Sequence, residues 1–97
     1  MPFNLTQRIG MPEKIRYELS AHAVAVMVER QVSLAWMERV LRRPERTEPD
    51  RIDPDLLHAL GRIAECDDRV LRVVYNDKTN PWRIVTVYFD RAMRGKL

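Results

Sequence analysis

Hydrophobic and polar positions change their period along this chain, and each change marks an element. Ile15-Arg16-Tyr17-Glu18-Leu19 alternates apolar and charged residues, which predicts a short strand with Ile15, Tyr17 and Leu19 inward. Ser20 follows as an N-cap, because its hydroxyl can accept an orphan helix N–H. The helix it starts, over about 21–31, is apolar on most sides: Ala21, Ala23, Val24, Ala25, Val26, Met27 and Val28. That predicts a mostly buried helix. Ser33 caps a second helix over about 34–43, with Leu34, Met37, Val40 and Leu41 on one face. Val32 and Met37 are spaced for a hydrophobic staple across its start. Glu38, Arg39, Arg42 and Arg43 point mostly outward, the last two suit the negative C-terminal end, and Pro44 stops the helix.

Segment 44–55, with Pro44, Pro49 and Pro54, reads as a connecting loop. The period then changes to two. Residues 57–66 fit a strand, although Leu56, Leu57, Leu60 and Ile63 also match a helical stripe. A strand is the preferred reading, because a strand follows after only Asp67-Asp68, a hairpin-length connection. Arg69-Val-Leu-Arg-Val-Val-Tyr75 and Trp82-Arg-Ile-Val-Thr-Val-Tyr-Phe89 are rich in β-branched residues and predict two further strands around a turn at 76–81. The order β-α-α-β-β-β predicts an α+β fold. Two N-terminal helices would pack on one face of an antiparallel β-meander. Residues 1–13 read as a loose arm and 14–97 as a single domain.

Charge sharpens this picture. The chain has 97 residues and a net charge of +3. Segment 44–55 holds five acids and two arginines, so −3, and the remainder is therefore +6. The bases are 14 Arg against three Lys. Arginine makes planar, two-pronged bonds to phosphate or carboxylate, so an anionic partner is one reading and an ordinary solvated surface is the other. The single cysteine, Cys66, excludes an internal disulfide framework and suits a reducing compartment. The longest unbroken apolar run, Ala23 to Val28, is far short of a membrane span. The expectation is a soluble cytoplasmic protein without a metal or a cofactor. The phosphate-loop, dinucleotide, serine-hydrolase and zinc-protease signatures do not occur. A metabolic enzyme is accordingly the least favoured class.

Leu19-Ser-Ala-His22, Met27-Val-Glu-Arg30 and Val32-Ser33 stand in an order that resembles a family of small bacterial proteins known only as a domain of unknown function. Gly61-Arg-Ile63, Arg69 to Asn76 and Arg83 to Arg91 extend the resemblance over residues 15–94. That family looks like a relative of the RelE, ParE and BrnT toxins. Val32-Ser33, Pro44 and Val73-Val74-Tyr75 are similar to the helix start, helix end and strand of BrnT. The resemblance implies helices on an antiparallel sheet, cleavage of RNA, and a partner antitoxin. The C-terminus departs from BrnT, with only seven residues after Asp90 where BrnT ends in a helix.

Metal-independent RNA cleavage needs a proton acceptor, a proton donor and cations for the phosphorane. Under this resemblance His22, Glu29 and Arg30 are the catalytic candidates on the first helix. Arg62, Arg72, Tyr75, Arg83 and Arg91 are the RNA- or phosphate-binding candidates, with Tyr88 an alternative to Tyr75 for stacking. Arg72 shares a strand face with Val70 and Val74. The structural alternative for His22 is a buried group bonding the backbone near Ser20. His58 reads as a surface residue, Asp90 and Arg91 as a pair closing the last strand, and Trp36 and Trp82 as core or rim anchors. The first functional expectation is a toxin-like endoribonuclease or a degenerate relative. The second is a non-catalytic interaction module that pairs with a partner, or with itself as a homodimer, through an exposed last strand. In that reading the acidic loop at 44–55 folds over the basic face and blocks it.

Overall fold

A computed structural model describes residues 16–97. The predicted arm at 1–13 and the inward placement of Ile15 lie outside the described residues. The order is β1 (Tyr17–Leu19), α1 (Ala21–Arg30), α2 (Leu34–Arg42), β2 (Arg46–Pro49), β3 (Leu57–Ile63), β4 (Arg69–Asn76) and β5 (Trp82–Phe89). The fold is α+β with a five-stranded mixed sheet in the order β1-β5-β4-β3-β2. Strands β2 to β5 form the antiparallel meander, and β1 joins its far side parallel to β5. The expected antiparallel meander is present and β1 adds a parallel strand to it, so the last strand, β5, is interior at Trp82–Ile84 and lacks a strand on its outer side only from Val85 to Phe89.

The two serine caps form as their sequence context dictates. Ser33 Oγ accepts from Trp36 N at 3.1 Å. Ser20 Oγ accepts from Ala23 N at 3.0 Å and donates to Val85 O at 2.9 Å. The register slips between Val74 and Tyr75, so Val85 has no strand partner on β4. The Ser20 hydroxyl thus satisfies the bulge and the helix start together.

Helix α1 departs from expectation. Only Ala23 and Met27 are buried, while Val24 is 46% and Val28 75% exposed. The helix is apolar on most sides, but only one stripe of it finds a partner. Helix α2 buries Met37, Val40 and Leu41. These residues pack with Ala59, Ile63, Leu71, Val73, Tyr75, Ile84 and Val87 on one sheet face. Helix and sheet approach closely at Gly61, where an added Cβ would lie 3.2 Å from a Val40 methyl carbon. Trp36 meets Phe89 edge-on at 6.3 Å, and Trp82 stacks on Tyr75 at 5.3 Å, so both tryptophans anchor the core.

Two segment readings are corrected. Within the expected loop 44–55, Arg46–Pro49 is an edge strand on β3. It carries no apolar alternation, and its register is supported by Glu45, which binds the Arg62 backbone N–H and guanidinium. Pro49 sits on that edge, where a missing N–H does least harm. The strand predicted to run to Cys66 ends at Ile63, and Ala64–Cys66 form a 3-10 turn. Asp67 and Asp68 then take φ values of 57° and 58°, a conformation that short polar side chains tolerate. Half-buried Cys66 packs against the core.

Candidate functional site

Because side chains alternate along a strand, His58, Leu60, Arg62, Val70, Arg72, Val74, Thr86 and Tyr88 face away from the helix-packed core. This second face carries a buried charge. Arg72 lies in mid-β4 between Leu60 and Tyr88 and is only 8% exposed. Its Nε donates to Asp90 Oδ2 at 2.9 Å, and its Nη2 lies 2.7 Å from the same oxygen. Its Nη1 reaches Glu48 Oε1 at 3.2 Å and His58 Nδ1 at 2.8 Å. Burial works against the Arg72 charge, but Asp90 and then Glu48 outweigh it and raise its pKa above the ordinary value. Asp90 therefore pairs with Arg72, not with Arg91 as expected. Its Oδ1 accepts from Ala92 N at 3.0 Å, so both oxygens are engaged.

These contacts fix the state of His58. A guanidinium can only donate, so Nδ1 is the acceptor and the ring proton sits on Nε2. Nε2 donates to Asp50 Oδ1 at 2.7 Å. Asp50 Oδ2 in turn accepts from the backbone of Ile52 at 3.1 Å and Asp53 at 2.9 Å. The Asp53 N–H, followed by His58 and the Ile52 N–H, holds the Asp50 carboxyl down at about 2. His58 is thus no surface residue: its side chain is 15% exposed and both ring nitrogens are occupied. Over this network lies a cleft of about 400 Å³, lined among others by Glu48, Asp50, Arg51, His58, Arg72 and Tyr88.

The candidates on α1 do not converge. His22 is exposed in the first turn and its Nε2 lies 3.1 Å from Thr86 Oγ1, so it neither is buried nor bonds the backbone near Ser20. Glu29 and Arg30 end the same helix, about 10 Å further along its axis. The sheet candidates are also dispersed. Arg62 is held by Glu45 opposite the start of β4, and Arg83 by Glu18 at the other end of the sheet. Tyr75 points into the core, while Tyr88 is the aromatic residue beside Arg72. Arg91 follows β5 and shares a second cleft with Asp90. Sequence reasoning found Arg72 and missed its partners His58, Asp50 and Glu48. Counting back by twos from Arg62 would have put His58 on the Arg72 face.

Among the described residues, no group of three or more His, Cys, Asp or Glu is placed to hold a metal ion. None of the described helices is long and apolar enough to cross a membrane. A family model described as "Domain of unknown function (DUF4258)" matches residues 19–89. No curated protein and no solved structure matches the chain. The matched span contains Glu48, Asp50, His58, Arg72 and Tyr88, and Asp90 lies one residue beyond it.

Proposed function

From the premise that the chain belongs to the family described as Domain of unknown function (DUF4258), we propose that it is a toxin-like, RNA-directed protein working from the sheet face around His58. The observation that carries this reading is the Asp50–His58–Arg72 chain of hydrogen bonds at the floor of a cleft beside Tyr88. Asp50 orients the imidazole through Nε2, as a carboxylate does behind a catalytic histidine. An RNA phosphate that draws Arg72 Nη1 to itself frees the Nδ1 lone pair. Nδ1 then takes the proton of the 2′-hydroxyl, and the 2′-oxygen attacks phosphorus. The bond to the 5′-oxygen breaks, and Tyr88 supplies the proton to that leaving oxygen. The products are a 2′,3′-cyclic phosphate and a 5′-hydroxyl. Arg72 stabilises the charge that builds on the phosphorane.

The test is incubation of end-labelled single-stranded RNA with wild type, His58→Gln and Tyr88→Phe in the presence of a metal chelator. Cyclic-phosphate ends produced by wild type and lost in His58→Gln support the reading. Absence of cleavage in all three, or equal cleavage by wild type and His58→Gln, refutes it.

A second reading, a protein-interaction module, draws on α1. Ala21, Val24, Ala25 and Val28 form an exposed apolar stripe at helical spacing. It fits a partner protein such as an antitoxin, or a second copy of the chain. The expected sheet-edge route is narrowed, because β1 covers β5 at Trp82–Ile84 and leaves only Val85–Phe89 without a strand on that side, and the other edge strand, β2, is short and carries Pro49.

A further inference from the structure

The cleft at the C-terminal end of β5 has a different chemistry from the His58 cleft. It measures about 410 Å³ and is lined by Arg69, Val70, Phe89, Asp90, Arg91 and Arg94. Most sheet arginines are held by carboxylates: Arg46 by Glu48, Arg62 by Glu45, Arg72 by Asp90 and Glu48, and Arg83 by Glu18. Arg69 instead rests its guanidinium carbon 4.1 Å from the centre of the Phe89 ring. Arg94 donates to the Asp67 backbone carbonyl at 3.1 Å, which orients it without neutralising it. Arg91 is exposed beside them. Among the described residues the one acid in the wall, Asp90, has both oxygens committed to Arg72 and Ala92. Three guanidinium groups therefore line a concave site whose only carboxylate among the described residues is already offset.

We infer that this cleft is a phosphate-binding site for the backbone of single-stranded RNA, contacted by Arg69, Arg91 and Arg94. Guanidinium forks match phosphate oxygens, and a ring-supported Arg69 loses little freedom on binding. Asp90 lines both clefts, so the two sites adjoin at the C-terminal end of β5, with Arg69 and Phe89 on the helix side of the sheet and His58 and Tyr88 on the other. The inference rests on the RNA-directed reading for its ligand, but not on His58 being catalytic. The acidic segment 44–55 does not cover this cleft, since none of its residues lines it.

The experiment is anisotropy of a fluorescent 2′-O-methyl oligoribonucleotide, which cannot be cleaved, over a range of salt. Wild type is compared with Arg91→Ala/Arg94→Ala, His58→Gln and Lys78→Ala. The double variant should bind more weakly and flatten the log–log salt slope by about 1.4, the value for two lost contacts to a single strand. Lys78→Ala, in the β4–β5 connection, should leave the slope unchanged. An unchanged slope in the double variant overturns the site. Inorganic phosphate, read through the arginine Nε–H signals by NMR, separates the two ideas. If wild type ignores RNA but phosphate shifts the Arg69, Arg91 and Arg94 signals, the phosphate site stands and its RNA ligand falls. If neither binds, both fall. If the oligonucleotide binds through these arginines while unmodified end-labelled RNA stays intact in the cleavage assay, the cleft stands and the catalytic role of His58 falls.

Discussion

The two faces of the sheet are built on opposite principles. The helix-covered face buries Leu71, Val73, Tyr75, Ile84 and Val87 against Met37, Val40 and Leu41. Its cohesion is non-directional and scales with the apolar area removed from water. The opposite face buries Leu60, Val70 and Val74 as well, but among them sits Arg72, held by Asp90, Glu48 and His58. There each contact depends on direction, and removing one member strands the others. The same strand, β4, serves both faces through successive residues. Leu71 and Arg72 are neighbours in sequence and stand for the two principles.

That contrast is sharpest in substitutions at these two positions. Leu71→Ala should destabilise the fold by about 4 kcal/mol, since the site is fully buried and close-packed. Denaturant unfolding measures it, and a loss near zero would mean that the helix-covered face is not the main core. Arg72→Ala should cost about 3 kcal/mol, because it leaves Asp90 and Glu48 without their cation in a partly buried place. The diagnostic is the double variant Arg72→Met/Asp90→Leu, which should recover part of that loss by removing the stranded Asp90 charge, a rescue by charge removal that has no counterpart on the apolar Leu71 side. Full additivity of the Arg72 and Asp90 changes would break the comparison.

The smallest effect is one of pH. The Asp50 carboxyl titrates at about 2 in the fold, below its ordinary 3.8. Its folded pKa is depressed, so its contribution to stability is complete above the ordinary value and is lost as pH falls towards the folded one. Wild type should therefore lose stability between about pH 4 and pH 2 relative to Asp50→Asn, whose amide does not titrate there. Parallel stability curves for the two proteins across that interval would show that Asp50 is not anchored as described.

Most of the fold was legible locally. Ser20 and Ser33 announced both helix starts, and the β-branched runs gave β4 and β5. What escaped was set by pairing distant in sequence. Residues 46–49 have no apolar alternation, and they become a strand through backbone bonds to β3 and the Glu45–Arg62 contact. The exposure of Val24 and Val28 follows from where α1 lies on β5, which the apolar pattern of the helix alone does not encode. For the site, Arg72 stood out because it interrupts an apolar strand. His58 did not, since its role arises only when the register sets Glu48 opposite it and the turn after Pro49 brings up Asp50. The helical candidates His22, Glu29 and Arg30 share a helix, yet the helix spreads them along its length.

The most direct test of a working site on the sheet face is growth of a bacterial host under tight induction, with each protein checked for solubility. Wild type, His22→Ala and His58→Gln would be induced side by side. Arrest by wild type and His22→Ala, relieved in His58→Gln, is the predicted result. Absence of arrest with wild type, or arrest that His22→Ala relieves and His58→Gln leaves intact, would contradict it.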